Sequence, residues 1–413
     1  MSPSPFATRQ RHRGLALLLT LLLVLVLVAP GGSALALNDA QQLVVEAWRL
    51  VNQSYVDPQR FEQVQWKRLR QKALEQPITT SAAAYGAIET MLAPLGDPYT
   101  RLLRPADYSA LQSNTQGTVS GVGLQLGLRS PDQQVVVIAP LDGSPAAEAG
   151  ISSGMTVLAV DGRSSEELGL EGTASGLRGP SGSEVLIQLE DPSGRTVDLT
   201  LERRQVDLRP VRSKRLRSGN HTLGYLRITQ FAEPVPAQVH QALDELNDKG
   251  IEALILDLRN NSGGLVSAGL AVADQLLAGA PIVETQARDG IGSPVVAGPA
   301  QVYGGPMLTL VNGGTASASE ILAGALQDDG RSALLGSQTF GKGVIQSLIP
   351  LGDGSGLAVT VARYLTPGGR DIQNQGISPD VALSGAEPLN PGDDDDGWLE
   401  QAERLLVQQL EAA

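Results

Sequence analysis

Residues 253–258 read Ala-Leu-Ile-Leu-Asp-Leu, an apolar stretch broken only by Asp257. A strand with one wet face alternates apolar and polar side chains. A strand apolar at both parities is buried on both sides, as in a sheet covered by helices. The surrounding sequence has the matching rhythm. Strands are predicted at 223–228, 307–311 and 334–336, and helices at 236–248, 265–277 and 319–327. This alternation, from residue 224 to about residue 380, predicts an α/β core. Packing falls to small aliphatic side chains, because aromatics are only 3% of a chain that is 42% hydrophobic. There is no cysteine, which excludes disulfides, thiolate metal sites and a cysteine nucleophile.

Residues 1–36 have the layout of an export signal. Arg9, Arg11 and Arg13 precede an apolar run over 15–28, and Ala34-Leu-Ala36 fits a small-residue cleavage site. The run is shorter than the roughly 20 residues that a membrane span needs. An uncleaved N-terminal anchor is the alternative. Loss of the three arginines moves the formal charge from −13 to −16. Such an acidic exported chain is not expected to bind nucleic acid, or anionic lipid, through bulk charge.

Residues 37–116 read as helical. Val44, Ala47, Trp48 and Val51 fall on one helix face. Further helices are predicted at 63–74 and 81–93, the latter ended by Pro94 and Gly96-Asp-Pro98. Residues 117–204 change to short strands at 121–126, 133–140, 156–160, 185–189 and 196–201, with helices at 144–151 and 166–177. That is a small α+β module. Residues 205–385 hold the α/β core. Residues 386–413 read as an acidic linker with a four-Asp run, then a helix at 398–410. The Asp run reads as solvated rather than as a cation site.

Catalytic groups are scarce. His221 and His240 are the only histidines outside the leader. Ser317 lies at a predicted strand-to-helix turn, and Lys342 follows 25 residues later between Gly341 and Gly343. A helix N-terminus offers unpaired N–H groups and partial positive charge, which stabilise an oxyanion beside the serine. Gly263-Gly264 is a second place where backbone N–H could face a substrate. The plainer reading is that Thr315, Ser317 and Ser319 only cap the helix. A lysine base must be neutral, yet with a free pKa of about 10.4 only about one in 2,500 is neutral at pH 7. Burial without a close carboxylate partner is therefore required. Gln346 could orient the amine without adding charge. Asn261-Ser-Gly-Gly264 resembles the serine loop of chymotrypsin-like proteases, but those need an upstream His and Asp on all-β barrels.

The loop Gly121-Val-Gly-Leu124 resembles the carboxylate-binding loop of PDZ domains, where a peptide adds a strand to a sheet edge. Arg178 is a candidate peptide contact or a plain surface charge. Taken in order, six stretches resemble the C-terminal processing (tail-specific) serine proteases, and most closely their cyanobacterial and chloroplast branch. They are 46–57, 95–101 (Leu-Gly-Asp-Pro-Tyr-Thr-Arg), 257–265, 314–321 (Gly-Thr-Ala-Ser-Ala-Ser-Glu-Ile), 339–343 (Thr-Phe-Gly-Lys-Gly) and 376–380. The resemblance implies three parts: a helical N-terminal region, an inserted PDZ domain over 117–204, and a crotonase-like α/β core. It implies Ser317 as nucleophile, Lys342 as general base and Gln346 as the residue that orients it. Asp328 matches an acidic position that affects activity in some members. Gly263 and Ala318 match the oxyanion hole, and Gly121, Val122, Gly123 and Leu124 the peptide loop. No cofactor or metal is implied. The implied partners are C-terminal tails of exported proteins, above all the precursor of the photosystem II reaction-centre protein, with peripheral association at the thylakoid membrane. The implied compartment is the thylakoid lumen or the periplasm. The alternatives are a general tail-degrading protease and a non-catalytic peptide-binding scaffold.

Overall fold

The computed structural model describes residues 37–412 except 130–133, 142–143, 152–154, 192, 208 and 389–390. The predicted export signal lies outside the described residues. No helix among those residues is long and apolar enough to cross a membrane.

The N-terminal region holds α1 (Asp39–Ser54), α2 (Pro58–Gln63), α3 (Trp66–Leu74), α4 (Ser81–Leu92), β1 (Arg101–Leu103) and α5 (Pro105–Thr115). Asn38 caps α1 by accepting a hydrogen bond from Gln41 N–H at 2.9 Å. Leu43, Val44, Ala47 and Val51 form its buried face, the stripe expected from the 3.6-residue period. The helix predicted over 63–74 begins at Trp66, and a short helix that was not predicted, Pro58–Gln63, precedes it. Gln65 takes a left-handed φ of 54°, and the turn lets Trp66 stack on Trp48 and Phe61, with ring centroids 6.3 and 5.3 Å away.

The next module holds β2 (Thr118–Gly121), β3 (Leu124–Arg129), β4 (Gln134–Pro140), α6 (Pro145–Glu148), β5 (Thr156–Val160), β6 (Arg163–Ser164), α7 (Ser165–Leu177), β7 (Glu184–Glu190), β8 (Thr196–Glu202) and β9 (Arg204–Asp207). Its sheet runs β3-β4-β5-β7-β8, so β3 is an edge strand. Val122, Val137, Val157, Val185, Ile187 and Leu189 belong to its own core. β2 pairs with β9 where the chain enters and leaves. The strand expected across 121–126 is interrupted at Gly123. Its φ is 75°, and a Cβ there would lie 2.2 Å from Ser144 Cβ, so only glycine fits. The helix expected over 144–151 is a single turn.

The remainder holds β10 (Val211–Ser218), β11 (His221–Ile228), α8 (Val235–Asp248), β12 (Ala253–Asp257), α9 (Val266–Leu276), β13 (Pro281–Ala287), β14 (Gly290–Ile291), β15 (Val295–Val296), β16 (Met307–Val311), α10 (Ala318–Asp328), β17 (Ala333–Gly336), β18 (Val344–Pro350), β19 (Gly356–Leu365), β20 (Val381–Ala382) and α11 (Gly397–Ala412). The main sheet runs β10-β11-β12-β16-β17-β20, parallel except for β10. Every residue of β12 and β16 is buried, as the apolar run requires. Side chains of α8, α9 and α10 fill the core on one face. Leu399, Ala402 and Leu406 of α11 cover the other, against Tyr225, Ile255 and Leu310. A second sheet, centred on β19, was not predicted. β19 pairs with β1, β13 and β18, and so ties the N-terminal region to the core.

The linker reading of residues 386–397 needs correction at Asp396. It is 1% exposed and faces Arg259, which is fully buried. The two make a bidentate pair at 3.0 and 2.6 Å. Arg259 also grips Asp257 at 3.0 and 2.6 Å, and Tyr225 donates to Asp257 at 2.7 Å. The end of the Asp run is thus a buried anchor that starts α11, bonded to Trp398 and Leu399 N–H at 3.1 and 2.9 Å. Burial alone would raise the Asp396 carboxyl. The Arg259 guanidinium and the N–H groups of Gly392 and Leu399 outweigh it and hold the carboxyl below its ordinary range.

Removing one partner of such a pair strands a buried charge, at about 3–5 kcal/mol. Asp396→Asn is expected to lower unfolding free energy by that order in urea titrations at neutral pH. Because the folded-state pKa is depressed, this contribution is present above the unfolded pKa of about 3.9 and is lost as pH falls through the folded value. The variant's deficit should therefore shrink in acid, and a pH-independent deficit would contradict the assignment.

Candidate active site

Ser317 sits at a sharp turn between β16 and α10, as N-cap of a helix whose first nine residues are all buried. Its φ of 58° and ψ of −119° are unusual for a residue with a side chain. Such a conformation costs about 1–3 kcal/mol and persists only where the surroundings impose it. The surroundings are hydrogen bonds from neighbouring loops. Thr315 Oγ1 donates to Leu258 O at 2.9 Å, and Ser319 Oγ to Asn261 O at 2.9 Å. These two hydroxyls do not cap the helix; they bind the 258–264 loop to the serine turn.

Gly263 lies against Ser317. A Cβ at 263 would be 2.9 Å from Ser317 Cβ and 3.1 Å from Ala318 N. The two predicted oxyanion donors are therefore neighbours, and φ of 100° at Gly263 keeps the site free of a side chain. In this conformation Gly263 N–H donates to Asn261 Oδ1 at 3.0 Å, so an oxyanion would have to compete for it. Ala318 opens α10, where the first N–H groups lack intrahelical acceptors.

Lys342 precedes β18 and is half-buried. Its Nζ lies 5.1 Å from the centre of the Tyr99 ring. No hydrogen bond links the Ser317 hydroxyl to the Lys342 amine. Burial holds the Lys342 ammonium below its ordinary value, and the Arg101 guanidinium pushes the same way. The carboxylates of Glu320 and Asp97 oppose both. The sequence requirement of no close carboxylate is thus met only in part: no carboxylate pairs with Nζ, but two lie near enough to favour the charged form.

The other predicted residues are more scattered. Gln346 stands in β18 with its Nε2 buried and without a hydrogen-bond partner, so no hydrogen bond joins that amide to the lysine. Asp328 ends α10, about 16 Å along the helix from Ser317 at ~1.5 Å per residue. There it accepts from Gly368 N–H at 2.7 Å and pairs with Arg370. Gly121, Val122, Gly123, Leu124 and Arg178 line one cleft of about 330 Å³ between β3 and α7. Asn114 also lines it, and Gln230 Nε2 donates to Asn114 O at 3.1 Å. The next residue, Phe231, donates to Gly263 O at 2.8 Å, so the cleft and the serine turn are bridged by one short segment.

The rival Ser262 is exposed. His221 starts β11, with its ring bonded to Glu252 at 2.8 Å. Ser262 lies past the far end of the parallel neighbour β12, so the length of β11, ~23 Å at ~3.3 Å per residue, separates them. His240 is on α8, 3.5 Å from Asp244 of the same helix. Neither histidine serves Ser262. Four residues around the dyad candidates had no role in the sequence reading. Tyr99, Arg101 and Glu320 fall inside the quoted motifs, and Glu320 has capping-box spacing from Ser317. Tyr364 left no local signal.

Comparison with known proteins matches residues 222–383 to the model of peptidase family S41. A carboxyl-terminal-processing protease of Synechocystis sp. is 44% identical over 369 residues, covering 87% of this chain and 86% of its own length. The chloroplastic carboxyl-terminal-processing peptidase 3 of Arabidopsis thaliana is 39% identical, over 85% of this chain and 70% of its own. The solved structure of a photosystem II D1 C-terminal processing protease superposes with a TM-score of 0.61 at 39% identity, covering 90% of this chain and 98% of that one. Fold and relatives together define a multi-domain α/β peptidase. The chain belongs to peptidase family S41, among the carboxyl-terminal processing proteases of the cyanobacterial and chloroplast type.

A base that acts as a neutral amine gives activity that rises with pH through its pKa. Arg101→Gln removes a cation that disfavours the ammonium, so the rising limb of the kcat/KM profile should move to higher pH. Arg101 is exposed, so the shift should be larger at low ionic strength. A limb that stays in place or moves to lower pH would contradict the role assigned to Arg101.

Proposed function

We propose that this peptidase is a serine endopeptidase with a Ser317–Lys342 dyad that removes C-terminal extensions from exported proteins. The observation that carries the reading is the pairing of a strained, buried serine turn with a desolvated lysine on the adjoining loop. Neutral Lys342 accepts the Ser317 hydroxyl proton as Oγ attacks the scissile carbonyl. The N–H groups of Gly263 and Ala318 receive the oxyanion, with Asn261 yielding its bond to Gly263. Lys342 then gives its proton to the leaving amine, and water releases the acyl group. The amine must first leave the Tyr99 ring and reach the hydroxyl, and Gln346, with a free buried amide, is the group that would meet it. Asp328 acts at a distance, by holding the 368–370 turn.

Residues 117–204 act as a PDZ domain inserted in a crotonase-like core. Its groove is the cleft beside β3, an edge strand with an unpaired side for an added peptide strand. Gly121, Val122, Gly123 and Leu124 take the terminal carboxylate and Arg178 contacts the tail. The relatives of cyanobacterial and chloroplastic origin, and the likeness to a D1 processing protease, support the photosystem II reaction-centre precursor as substrate and the thylakoid lumen or periplasm as compartment. Recognition of the tail sequence, not the dyad, separates this reading from general tail degradation.

The test is mass spectrometry of peptides carrying apolar C-terminal extensions, as free acids and as amides, incubated with the purified chain. Wild type should cut the free acids faster than the amides. Ser317→Ala and Lys342→Arg, the latter still charged at every working pH, should each lose at least about 10³-fold in kcat. Full activity in Ser317→Ala would end the nucleophile assignment. Equal cutting of acids and amides would end the carboxylate role of the 121–124 loop. Indiscriminate cutting of unrelated tails would favour degradation over processing.

A further inference from the structure

Glu320 is fully buried, and among the described residues no cation pairs with it. Its carboxylate instead accepts four hydrogen bonds. Ser317 N–H and Lys342 N–H reach Oε2 at 2.8 and 2.9 Å. Thr339 Oγ1 and Gly341 N–H reach Oε1 at 2.6 and 2.7 Å. Helix capping accounts for only the first of these. The other three come from the loop that carries Lys342, which has no part in the helix.

A second side chain completes the pattern from the opposite polarity. Tyr364, in β19 and 1% exposed, places its hydroxyl 3.0 Å from Ser317 O and 2.7 Å from Lys342 O. Its single proton is shared between the two carbonyls. Glu320 thus holds the N–H groups of both residues, and Tyr364 holds both of their C=O groups. A buried carboxylate is costly unless its lone pairs are satisfied, and a carboxylate near the lysine favours the wrong protonation state for a base. Retaining Glu320 there is understandable if it sets geometry.

We propose that Glu320 and Tyr364 are positioning residues that fix the serine turn and the lysine loop relative to each other. This rests on the Ser317–Lys342 reading above. Neither side chain needs to touch substrate. The groups that face the lysine are Arg101, Asp97, Tyr99 and Glu320, so the two variants below have distinct signatures.

Glu320→Gln replaces one acceptor oxygen by an amide donor, which loses two of the four bonds, and it removes a negative charge beside Lys342. Tyr364→Phe loses the hydroxyl and keeps the ring packing and every charge. Loss of such hydrogen bonds should reduce kcat by about 10–100-fold with KM changed less than about two-fold. In Glu320→Gln the rising limb of the pH profile should also move to lower pH, because the ammonium loses a favourable neighbour. In Tyr364→Phe the limb should stay where it is. A role in folding alone would lower the melting temperature without these kinetic signatures. The proposal is overturned if Tyr364→Phe, folded, retains kcat within about two-fold of wild type. It is also overturned if a folded Glu320→Gln retains kcat within about two-fold of wild type. Should Glu320→Gln fail to fold, Tyr364→Phe decides alone. Full activity in Ser317→Ala would instead remove the dyad reading, an outcome these two variants do not produce.

Discussion

The loops leaving the carboxyl ends of β12, β16 and β17 are hydrogen-bonded to one another, and the rest of the site follows from that. Thr315 and Ser319 reach the 258–264 loop. Phe340 N–H reaches Thr315 O at 3.0 Å, and Glu320 reaches the 339–342 loop. Open parallel sheets offer ligand sites at this edge because adjacent loops splay apart there. Here the space is closed by hydrogen bonds, so a serine with positive φ can be held in place. The strain at Ser317 is sustained by contacts that individually are worth only about 1 kcal/mol, which is why so many converge on one turn.

The buried ion network solves a related problem behind the site. Asp257 and Arg259 lie at the end of β12, directly before the 260–264 loop, and both are wholly buried. Left to itself a guanidinium there would have one carboxylate partner inside a low-dielectric interior. Asp396 supplies the second from the C-terminal segment, while Glu387 of the same segment bonds to Asn312. Asn312 in turn bonds to Asn260 at 2.7 Å. The C-terminal segment therefore contacts the bases of two site loops through polar groups, and α11 fixes it to the sheet through apolar ones.

Much of this was legible where one physical signal dominates. The run at 253–258 specified a strand buried on both faces, and the glycines around Lys342 marked a loop of close backbone approach: a Cβ at Gly341 would sit 2.7 Å from Gly376 N. The second sheet was not legible. β18 and β19 mix polar and apolar residues, and their pairing partners lie as far away as Arg101. Asp396 was misread because a run of four aspartates looks solvated, and only tertiary contact reveals that the last one is buried. Tyr364 and Tyr99 could not be placed beside Lys342 without the sheet that carries them there. The residues around the site were legible as a motif, but their hydrogen-bond partners were set by topology.

The electrostatics of Lys342 tie the N-terminal region to the proposed chemistry. Burial and Arg101 disfavour the ammonium, whereas Glu320 and Asp97 favour it. A cation over an aromatic face gains about 0.5–2 kcal/mol, so the Tyr99 ring also favours the charged form. Tyr99, Asp97 and Arg101 all come from the 95–101 segment, which β1 fixes to β19. That segment thus carries charges of both signs near the amine and a ring beneath it. Burial, the largest of these influences, holds the ammonium below its ordinary value while Nζ lies over the ring. A bound peptide that excluded the remaining water would strengthen the effect of burial without altering the fixed charges. In the mechanism proposed above, substrate entry would thus favour the neutral amine that a base requires.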